Sequence, residues 1–184
     1  MVIFSNFDFK GGKEESRKLL ARAIDLYNAN FYPECAEDSE ALLSKLELSD
    51  KGKPSIPGWM NFSISHSENC WAILIDEEPC GLDVQYKREC KIDQIANRWY
   101  APEDAELALK DEADFWRIWT RREACVKALG ESVMTEVPSV ADDTVEIDGT
   151  VWDLLDVELI GASELPYSAI CTLGPAQTLR FYRI

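Results

Sequence analysis

A long helix in the second half of the chain constrains the fold more than any other predicted element. It covers residues 114–129, DFWRIWTRREACVKAL, and Gly130 directly follows it. Glycine readily adopts the left-handed conformation found at helix ends, so we expect Gly130 to be the C-terminal cap. A second helix is predicted over residues 13–31, where apolar side chains recur at three- and four-residue spacing.

Strand signals accompany both helices. Residues 61–65 and 71–75 predict two strands separated by a polar turn at 66–69, and residues 82–84 begin another strand. Each half of the chain therefore combines a helix with strands, which predicts the α+β class and permits two lobes with a cleft between them. Further helices are predicted over residues 91–99 and 103–110, and further strands over 145–147, 151–159, 167–173 and 178–183.

The net charge is strongly negative but unevenly distributed along the chain. Asp and Glu number 34 against 19 Lys and Arg, which gives a formal charge of −15. A protein of this charge repels the phosphates of nucleic acids and the surface of an acidic membrane, so neither is expected as a partner. Residues 115–127 are the exception, because one acid, Glu123, stands there among four basic residues, Arg117, Arg121, Arg122 and Lys127.

The cysteine pattern and the lack of a long apolar run indicate a cytoplasmic protein. The six cysteines lie ten or more residues apart and the chain has one histidine, so neither a zinc site nor a redox pair is predicted. The N-terminal sequence MVIFSNFDFK is unlike a secretory signal, and no segment reaches the roughly 20 apolar residues of a membrane span. We therefore expect reduced, mostly buried thiols.

Polar side chains that could carry chemistry occur in three clusters, and the first is FSISHS at residues 62–67. It places the only histidine, His66, beside Ser65 near the end of a strand. A hydroxyl and an imidazole in this position can donate hydrogen bonds to an oxyanion. Taken alone, this segment is better explained as a polar turn that satisfies its own backbone.

The second cluster is GLDVQ at residues 81–85. On a strand, Asp83 and Gln85 point to the same side, where their oxygen atoms could bind one hard cation such as Mg²⁺. An aspartate next to a turn is also an ordinary feature, so this segment alone does not identify a metal site.

The third cluster lies on the long helix. Glu123 and Lys127 are four residues apart and share one face, which Trp119 extends by one turn. A solvent-exposed Glu–Lys pair is the simplest explanation, but Trp119 favours a face that is covered by protein. A carboxylate and an ammonium at such an interface would suit a metal-bound pyrophosphate, because they would bind the cation and the phosphate oxygens respectively.

Together and in this order, the clusters resemble the 4′-phosphopantetheinyl transferase superfamily of the Sfp type, like the holo-acyl-carrier-protein synthases. The resemblance rests on GKP at residues 52–54, FSISHS, GLDVQ and the helix WTRREACVKALG, and it covers about residues 17–138. It implies a pseudo-dimer of the family fold, with two similar lobes that each have a small antiparallel sheet and helices. Residues 1–80 would form the N-terminal lobe, with the nucleotide contacts of coenzyme A, and residues 81–184 the C-terminal lobe, with the metal site and the catalytic helix.

The same resemblance implies an activity. Family members transfer 4′-phosphopantetheine from coenzyme A to a serine of an apo acyl or peptidyl carrier protein of fatty-acid, polyketide or nonribosomal peptide synthesis. They depend on Mg²⁺ and release adenosine 3′,5′-bisphosphate. Asp83 and Glu123 fall on the family's metal ligands, and Glu123 would also be the base for the carrier serine. Lys127 falls on the lysine that contacts the pyrophosphate, so the implied catalytic residues are Glu123, Lys127 and Asp83. Positions that contact coenzyme A are matched by Arg17, Lys53, Pro54, Ser65, His66 and Lys127.

Gln85 is the point at which the chain departs from the family. An acid is usual at this position, so Gln85 would be a neutral and weaker third metal ligand. Two alternatives therefore stay open. One is a homologue that binds coenzyme A and transfers poorly, and the other is a phosphohydrolase that uses the same Asp–Glu metal site, although a second metal cluster is missing. We also expect a monomer that docks an acidic carrier through a local patch containing Arg117, Arg121 or Arg122.

Overall fold

The computed structural model describes residues 1–161, 164–174 and 178–184. Within these residues the chain forms five helices and ten strands, which confirms the predicted α+β class. The first half contains β1 (Val2–Asn6), α1 (Lys13–Phe31), α2 (Ser39–Ser44), β2 (Glu47–Leu48), β3 (Pro54–Ser55), β4 (Asn61–Ser67) and β5 (Cys70–Asp76). The second half contains β6 (Cys80–Gln85), α3 (Ile92–Trp99), α4 (Pro102–Ala108), α5 (Glu112–Leu129), β7 (Thr144–Ile147), β8 (Thr150–Asp156), β9 (Tyr167–Thr172) and β10 (Arg180–Arg183).

The strands form two four-stranded sheets and one two-stranded ladder of β2 and β3. The first sheet has the order β10-β1-β5-β4, and the second has the order β6-β9-β8-β7 with all neighbours antiparallel. In the first sheet β5 runs antiparallel to both β1 and β4, whereas β10 runs parallel to β1, with Val2 opposite Arg180. The last strand therefore belongs to the sheet that contains the first strand.

Three apolar clusters hold these layers together. α1 packs one face against the first sheet, where Leu20 and Ile24 meet Phe4 and Ile73. α5 covers one face of the second sheet, through side chains such as Phe115 and Ile118. A third cluster joins the remaining faces of the two sheets, with Ile3 and Leu74 on one side and Leu82 and Ile170 on the other. Burial of these side chains is the main contribution to folding.

The two sheets meet where their edge strands, β4 and β6, lie side by side. The serines of β4 that make this contact stand at alternate positions, so their hydroxyls lie on one face of the strand. Each hydroxyl takes the place that a backbone carbonyl has as acceptor in an ordinary sheet. These hydroxyls, which we call the serine ladder, accept hydrogen bonds from backbone N–H groups along and directly after β6. The pairs are Ser63 with Leu82 at 3.0 Å, Ser65 with Val84 at 3.2 Å and Ser67 with Tyr86 at 3.1 Å.

α5 is fixed at both ends and lies very close to β6. Its first turn is capped by the Asp111 carboxylate, which accepts the backbone N–H of Ala113 at 2.8 Å. Gly130 ends it with φ of 72°, which confirms the predicted cap. A Cβ added to Gly81 would lie 1.9 Å from the carbonyl oxygen of Ala124 and 2.5 Å from the backbone nitrogen of Ala128. Only glycine allows the strand and the helix to approach this closely.

The sequence-based helices all form, with ends within two residues of those predicted. The predicted turn at residues 66–69 was wrong in part, because β4 continues to Ser67 and pairs His66 with Trp71. A two-residue turn closes the hairpin instead, with Glu68 in the left-handed region at φ of 49°. β1, α2 and the β2–β3 pair were not predicted, since such short elements carry almost no periodicity. The strand predicted over residues 151–159 ends at Asp156.

The six cysteines are all free, and four of them are buried, which confirms the prediction of reduced and mostly buried thiols. Burial raises the pKa of Cys70 and of Cys80 to about 12, so both stay protonated at neutral pH. Among the helices of the described residues, none is both long and apolar enough to cross a membrane.

Candidate active site

One cavity of about 370 Å³ lies where β4, β6 and α5 meet. β4 and β6 face it side by side because of the serine ladder, and α5 supplies a third wall with residues four apart on one face. The cavity brings together six of the residues predicted from sequence, Ser65, His66, Asp83, Gln85, Glu123 and Lys127.

Asp83 lies at the centre of a small polar network in this cavity. Its Oδ1 accepts hydrogen bonds from Lys127 Nζ at 2.7 Å and from Ser65 Oγ at 2.8 Å, and Lys127 Nζ also donates to Ser65 Oγ at 2.8 Å. The side chain of Asp83 is only 7% exposed, and the ammonium group of Lys127 is the opposite charge paired with it. Among the described residues, the buried Oδ2 of Asp83 has no hydrogen-bond partner.

Glu123 is the second carboxylate of the cavity. Burial, and then the negative charge of Asp83, raise the pKa of Glu123 to about 7, although the positive charges of Arg122 and Lys127 oppose the shift. Its Oε1 accepts a hydrogen bond from Arg122 Nη1 at 2.9 Å. Two partly buried carboxylates that face one cavity repel each other, and a bound cation would relieve this repulsion.

The oxygen atoms that face the cavity fit a hard divalent cation. The described residues contain no group of three or more His, Cys, Asp or Glu side chains placed to hold a metal ion. The available donors are two carboxylates, of Asp83 and Glu123, and the amide oxygen of Gln85. Mg²⁺ commonly takes one or two carboxylates and keeps several waters, so this set is sufficient. The unpartnered Oδ2 of Asp83 is the atom that most needs such a ligand.

Beside these carboxylates, the cavity is also lined by His66, Trp119 and Arg88. The ring of His66 is exposed on β4 and packs against Phe9, with centroids 5.4 Å apart. Trp119 lies one turn before Glu123 on α5. Its side chain is half-buried, which agrees with the prediction that protein covers this face of the helix. Arg88 was missed by the sequence analysis. Its only signal is a positive charge shortly after a strand, which is common on protein surfaces.

Lys53 and Pro54 line a second cavity, of about 180 Å³, which shares Ile64 and Lys127 with the first. Lys53 Nζ donates to the carbonyl oxygens of Ala128 at 2.9 Å and of Cys80 at 3.3 Å, so it joins the end of α5 to the start of β6. Burial lowers the pKa of Lys53 from its usual value.

Arg17 lies apart from both cavities in the described structure. It is exposed on α1, and its guanidinium donates to the carbonyl oxygen of Leu43 at 3.2 Å. Of the residues predicted to contact coenzyme A, Arg17 is therefore the one that the fold does not bring to the others.

The arginines expected to form a docking patch are placed differently from the prediction. Arg121 is 4% exposed and Arg122 is 2% exposed, so neither can meet a partner protein. Arg121 binds both oxygens of Asp156 at 2.8 Å, and its remaining donors go to backbone carbonyls of residues 140–142 and to Asp143. The prediction was wrong for these two residues because carbonyls far away in sequence bury their charge. Arg117 is half-buried beside Asp114.

Comparisons with known proteins identify the family of the chain. The family model described as the 4′-phosphopantetheinyl transferase superfamily matches residues 79–163, which include Asp83, Gln85, Glu123 and Lys127. The 4′-phosphopantetheinyl transferase AcpT of Salmonella typhi is 33% identical over 144 residues, which cover 72% of this chain and 69% of the relative.

Two further relatives carry the same kind of name. AcpT of Escherichia coli K12 is 34% identical over 149 residues, covering 72% of this chain and 68% of the relative. The 4′-phosphopantetheinyl transferase Sfp of Bacillus subtilis 168 is 26% identical over 102 residues, covering 52% of this chain and 45% of the relative. From the site, the family match and these relatives together, we conclude that the chain belongs to the 4′-phosphopantetheinyl transferase superfamily and is a phosphopantetheinyl transferase in its general function.

Proposed function

We propose that the protein transfers 4′-phosphopantetheine from coenzyme A to a serine hydroxyl of an apo acyl or peptidyl carrier protein. The second product is adenosine 3′,5′-bisphosphate, and the reaction requires Mg²⁺. The observation that carries this proposal is the single cavity in which Asp83, Glu123 and Lys127 lie together. Two carboxylates and one ammonium group are the charges needed to bind a pyrophosphate together with a divalent cation.

Asp83 and Glu123 would hold the cation, with Gln85 as a weaker third ligand. When bound, Mg²⁺ neutralises negative charge on the pyrophosphate and so makes its phosphorus easier to attack. Lys127 has three N–H donors, and Asp83 and Ser65 accept two of them. The third donor remains for a phosphate oxygen of coenzyme A. Ser65 would act through its hydrogen bonds, because it holds both Lys127 and Asp83 in place.

The transfer breaks the phosphoanhydride bond of coenzyme A and forms a phosphoester bond to the carrier serine. The serine oxygen of the carrier forms a bond to the phosphorus that bears pantetheine, and the bond from that phosphorus to the bridging oxygen of the pyrophosphate breaks. Glu123 would accept the proton of the serine hydroxyl. Lys127 would stabilise the negative charge that develops on the leaving bisphosphate. His66, at the exposed side of the cavity, would donate a hydrogen bond to a phosphate oxygen.

The nucleotide part of coenzyme A would extend toward Lys53 and Pro54. The cavity that they line shares Lys127 with the first one, which supports a path along this surface. In our proposal Arg17 contributes from α1 near the adenosine group, and this requires its guanidinium to leave Leu43. We retain Arg17 as a proposed contact on the family resemblance alone.

We further propose that the fold is a pseudo-dimer of two similar lobes that acts as a monomer in the cytoplasm. Each four-stranded sheet has one long helix on one face, α1 for the first sheet and α5 for the second. In this proposal the two lobes divide near residue 80, because each lobe is one sheet with its helix. β10 is the exception, since it lies in the second half of the chain and pairs with β1 of the first sheet.

Incubation with coenzyme A, Mg²⁺ and a panel of apo carrier proteins tests the proposed function. We expect a carrier to gain the mass of phosphopantetheine, as measured by intact-protein mass spectrometry. Binding of coenzyme A without a mass gain on any carrier would favour the weakly active homologue. Hydrolysis of coenzyme A without a carrier would favour the phosphohydrolase.

Gln85 offers a test of the metal ligands. In Gln85→Glu we expect the Mg²⁺ concentration for half-maximal transfer to fall, because a carboxylate binds a hard cation more tightly than an amide oxygen does. A Mg²⁺ titration of the transfer rate measures this effect. Gln94→Glu is the matched control, since it adds the same charge at an exposed position of α3. An equal Mg²⁺ requirement in Gln85→Glu and wild type would show that residue 85 does not bind the cation.

A further inference from the structure

Two neighbouring arginines of α5 differ in one contact that bears on the active site. Arg121 and Arg122 are both buried, and each guanidinium donates to three backbone carbonyl groups. Arg121 pairs with Asp143 and Asp156, outside the cavity. Arg122 instead pairs with Glu123, the residue that follows it in the chain.

A contact between adjacent residues of a helix is unusual. Successive side chains point about 100° apart around the axis, so residues i and i+1 do not normally face each other. Arg122 Nη1 nevertheless lies 2.9 Å from Glu123 Oε1, which requires the guanidinium to turn along the helix surface toward the cavity.

Backbone carbonyls at the end of α3 and in the loop after α5 fix this orientation. Arg122 Nε donates to the carbonyl oxygen of Trp99 at 3.0 Å, at the end of α3. Arg122 Nη2 donates to the carbonyl oxygens of Val133 at 2.9 Å and Thr135 at 2.7 Å, in the loop after α5. The guanidinium also lies over the Trp99 ring, 5.7 Å from its centroid. The planar guanidinium group has donors in fixed directions, so it can bind these carbonyls and Glu123 together, and a lysine ammonium cannot.

The consequence for Glu123 is that its two oxygens are not equivalent. Arg122 holds Oε1 of Glu123. Among the described residues Oε2 takes part in no hydrogen bond and is not fully buried, and the carboxylate lines the cavity. Oε2 is therefore the oxygen available to the cavity.

We propose that Arg122 is a positioning residue that holds one oxygen of Glu123 and thereby presents the other to the cation and the carrier serine. The inference rests on the proposed role of Glu123. Arg122 itself does not line the cavity, so it acts on the reaction only through Glu123.

Arg122→Lys is the variant that tests this role, and Arg121→Lys is its matched control. Both replace a buried arginine of α5 that binds three carbonyls, so both are expected to lower the melting temperature. Only Arg122→Lys is expected to lower kcat, by about 10- to 100-fold, the usual effect of losing a residue that orients a metal ligand. The KM for coenzyme A is expected to change little.

Binding of Mn²⁺ in the presence of coenzyme A and without a carrier, followed by electron paramagnetic resonance, provides a readout independent of turnover. We expect Arg122→Lys to weaken Mn²⁺ binding by about 10- to 100-fold and Arg121→Lys to leave it unchanged. In a Glu123→Gln background, Arg122→Lys is expected to cause no further loss, because the two residues act as one unit.

Equal kcat and equal Mn²⁺ affinity in the two lysine variants would overturn the inference and leave Arg122 a purely structural residue. If the Arg122→Lys protein does not fold, wild type and Glu123→Ala, which lacks any acceptor for Arg122, are compared by ¹⁵N NMR of the arginine side chains. A change confined to Arg122 supports the contact, and no change at Arg122 overturns it. Weaker Mn²⁺ binding in Arg122→Lys than in Arg121→Lys, together with no labelling of any carrier, would refute the proposed function and still support the role of Arg122.

Discussion

Glu123→Gln is expected to lower the rate of phosphopantetheine transfer by about 100- to 10,000-fold, the range attributed to a positioned general base. The amide has nearly the same shape as the carboxylate, and its oxygen can still accept the hydrogen bond from Arg122. It can neither take a proton at neutral pH nor supply the negative charge that would hold a cation. The transfer rate to a carrier, measured by mass spectrometry at saturating coenzyme A, checks this result.

The fold of Glu123→Gln is expected to be preserved. Burial disfavours the charged form of Glu123, and Asp83 repels it. Removing that charge from the metal-free protein at neutral pH should leave the melting temperature equal or higher. Glu106→Gln is the matched control, since it makes the same chemical change on a side chain that is 73% exposed and paired with Lys110. Transfer by Glu123→Gln within a few-fold of that by Glu106→Gln would rule out Glu123 as the base.

Gly81→Ala is expected to cause the largest loss of stability of any single methyl addition considered for this chain. The new Cβ would lie 1.9 Å from the carbonyl oxygen of Ala124, well inside van der Waals contact. Overpacking a core costs about 1–3 kcal/mol, and we expect the upper end or more, because backbone atoms of α5 cannot rotate away. Urea denaturation measures the change in the free energy of unfolding.

The same substitution is expected to impair transfer. Moving α5 away from β6 would separate Lys127 from Asp83, which now lie 2.7 Å apart. Gly149→Ala is a useful comparison, because an added Cβ there meets no atom within 4 Å. The only strain expected at this position comes from its left-handed backbone, with φ of 75°. We expect Gly149→Ala to lower the free energy of unfolding by about 1–2 kcal/mol, the cost of a non-glycine residue in the left-handed region. A Gly81→Ala protein as stable as wild type would show that β6 and α5 are not in such close contact.

Local periodicity was sufficient to predict four of the five helices of the described residues and to place pairs of cavity-lining residues on common faces. Asp83 and Gln85 share a strand face, and Glu123 and Lys127 share a helix face, and both relations follow from two- and four-residue spacing. The meeting of these faces in one cavity followed only from the family resemblance, since spacing alone does not say which elements pack together.

Features that depend on distant backbone groups could not be predicted. Arg121 and Arg122 belong to a basic segment in sequence, but carbonyls of residues 133–142 and of Trp99 bury them. The serine ladder was visible as Ser63, Ser65 and Ser67 at alternate positions of one strand. Its function was not, because hydroxyls rarely replace carbonyls between edge strands and the partner strand was unknown.

The position of β10 affects how the chain folds during synthesis. β1, β5 and β4 leave the ribosome early, but β1 keeps an unpaired edge until residues 180–183 appear, more than 100 residues after β5 ends. An open edge of a buried, apolar strand is a template for pairing with other chains. Nascent protein is therefore most prone to aggregation during this interval, and a fragment of residues 1–80 would carry the same open edge permanently.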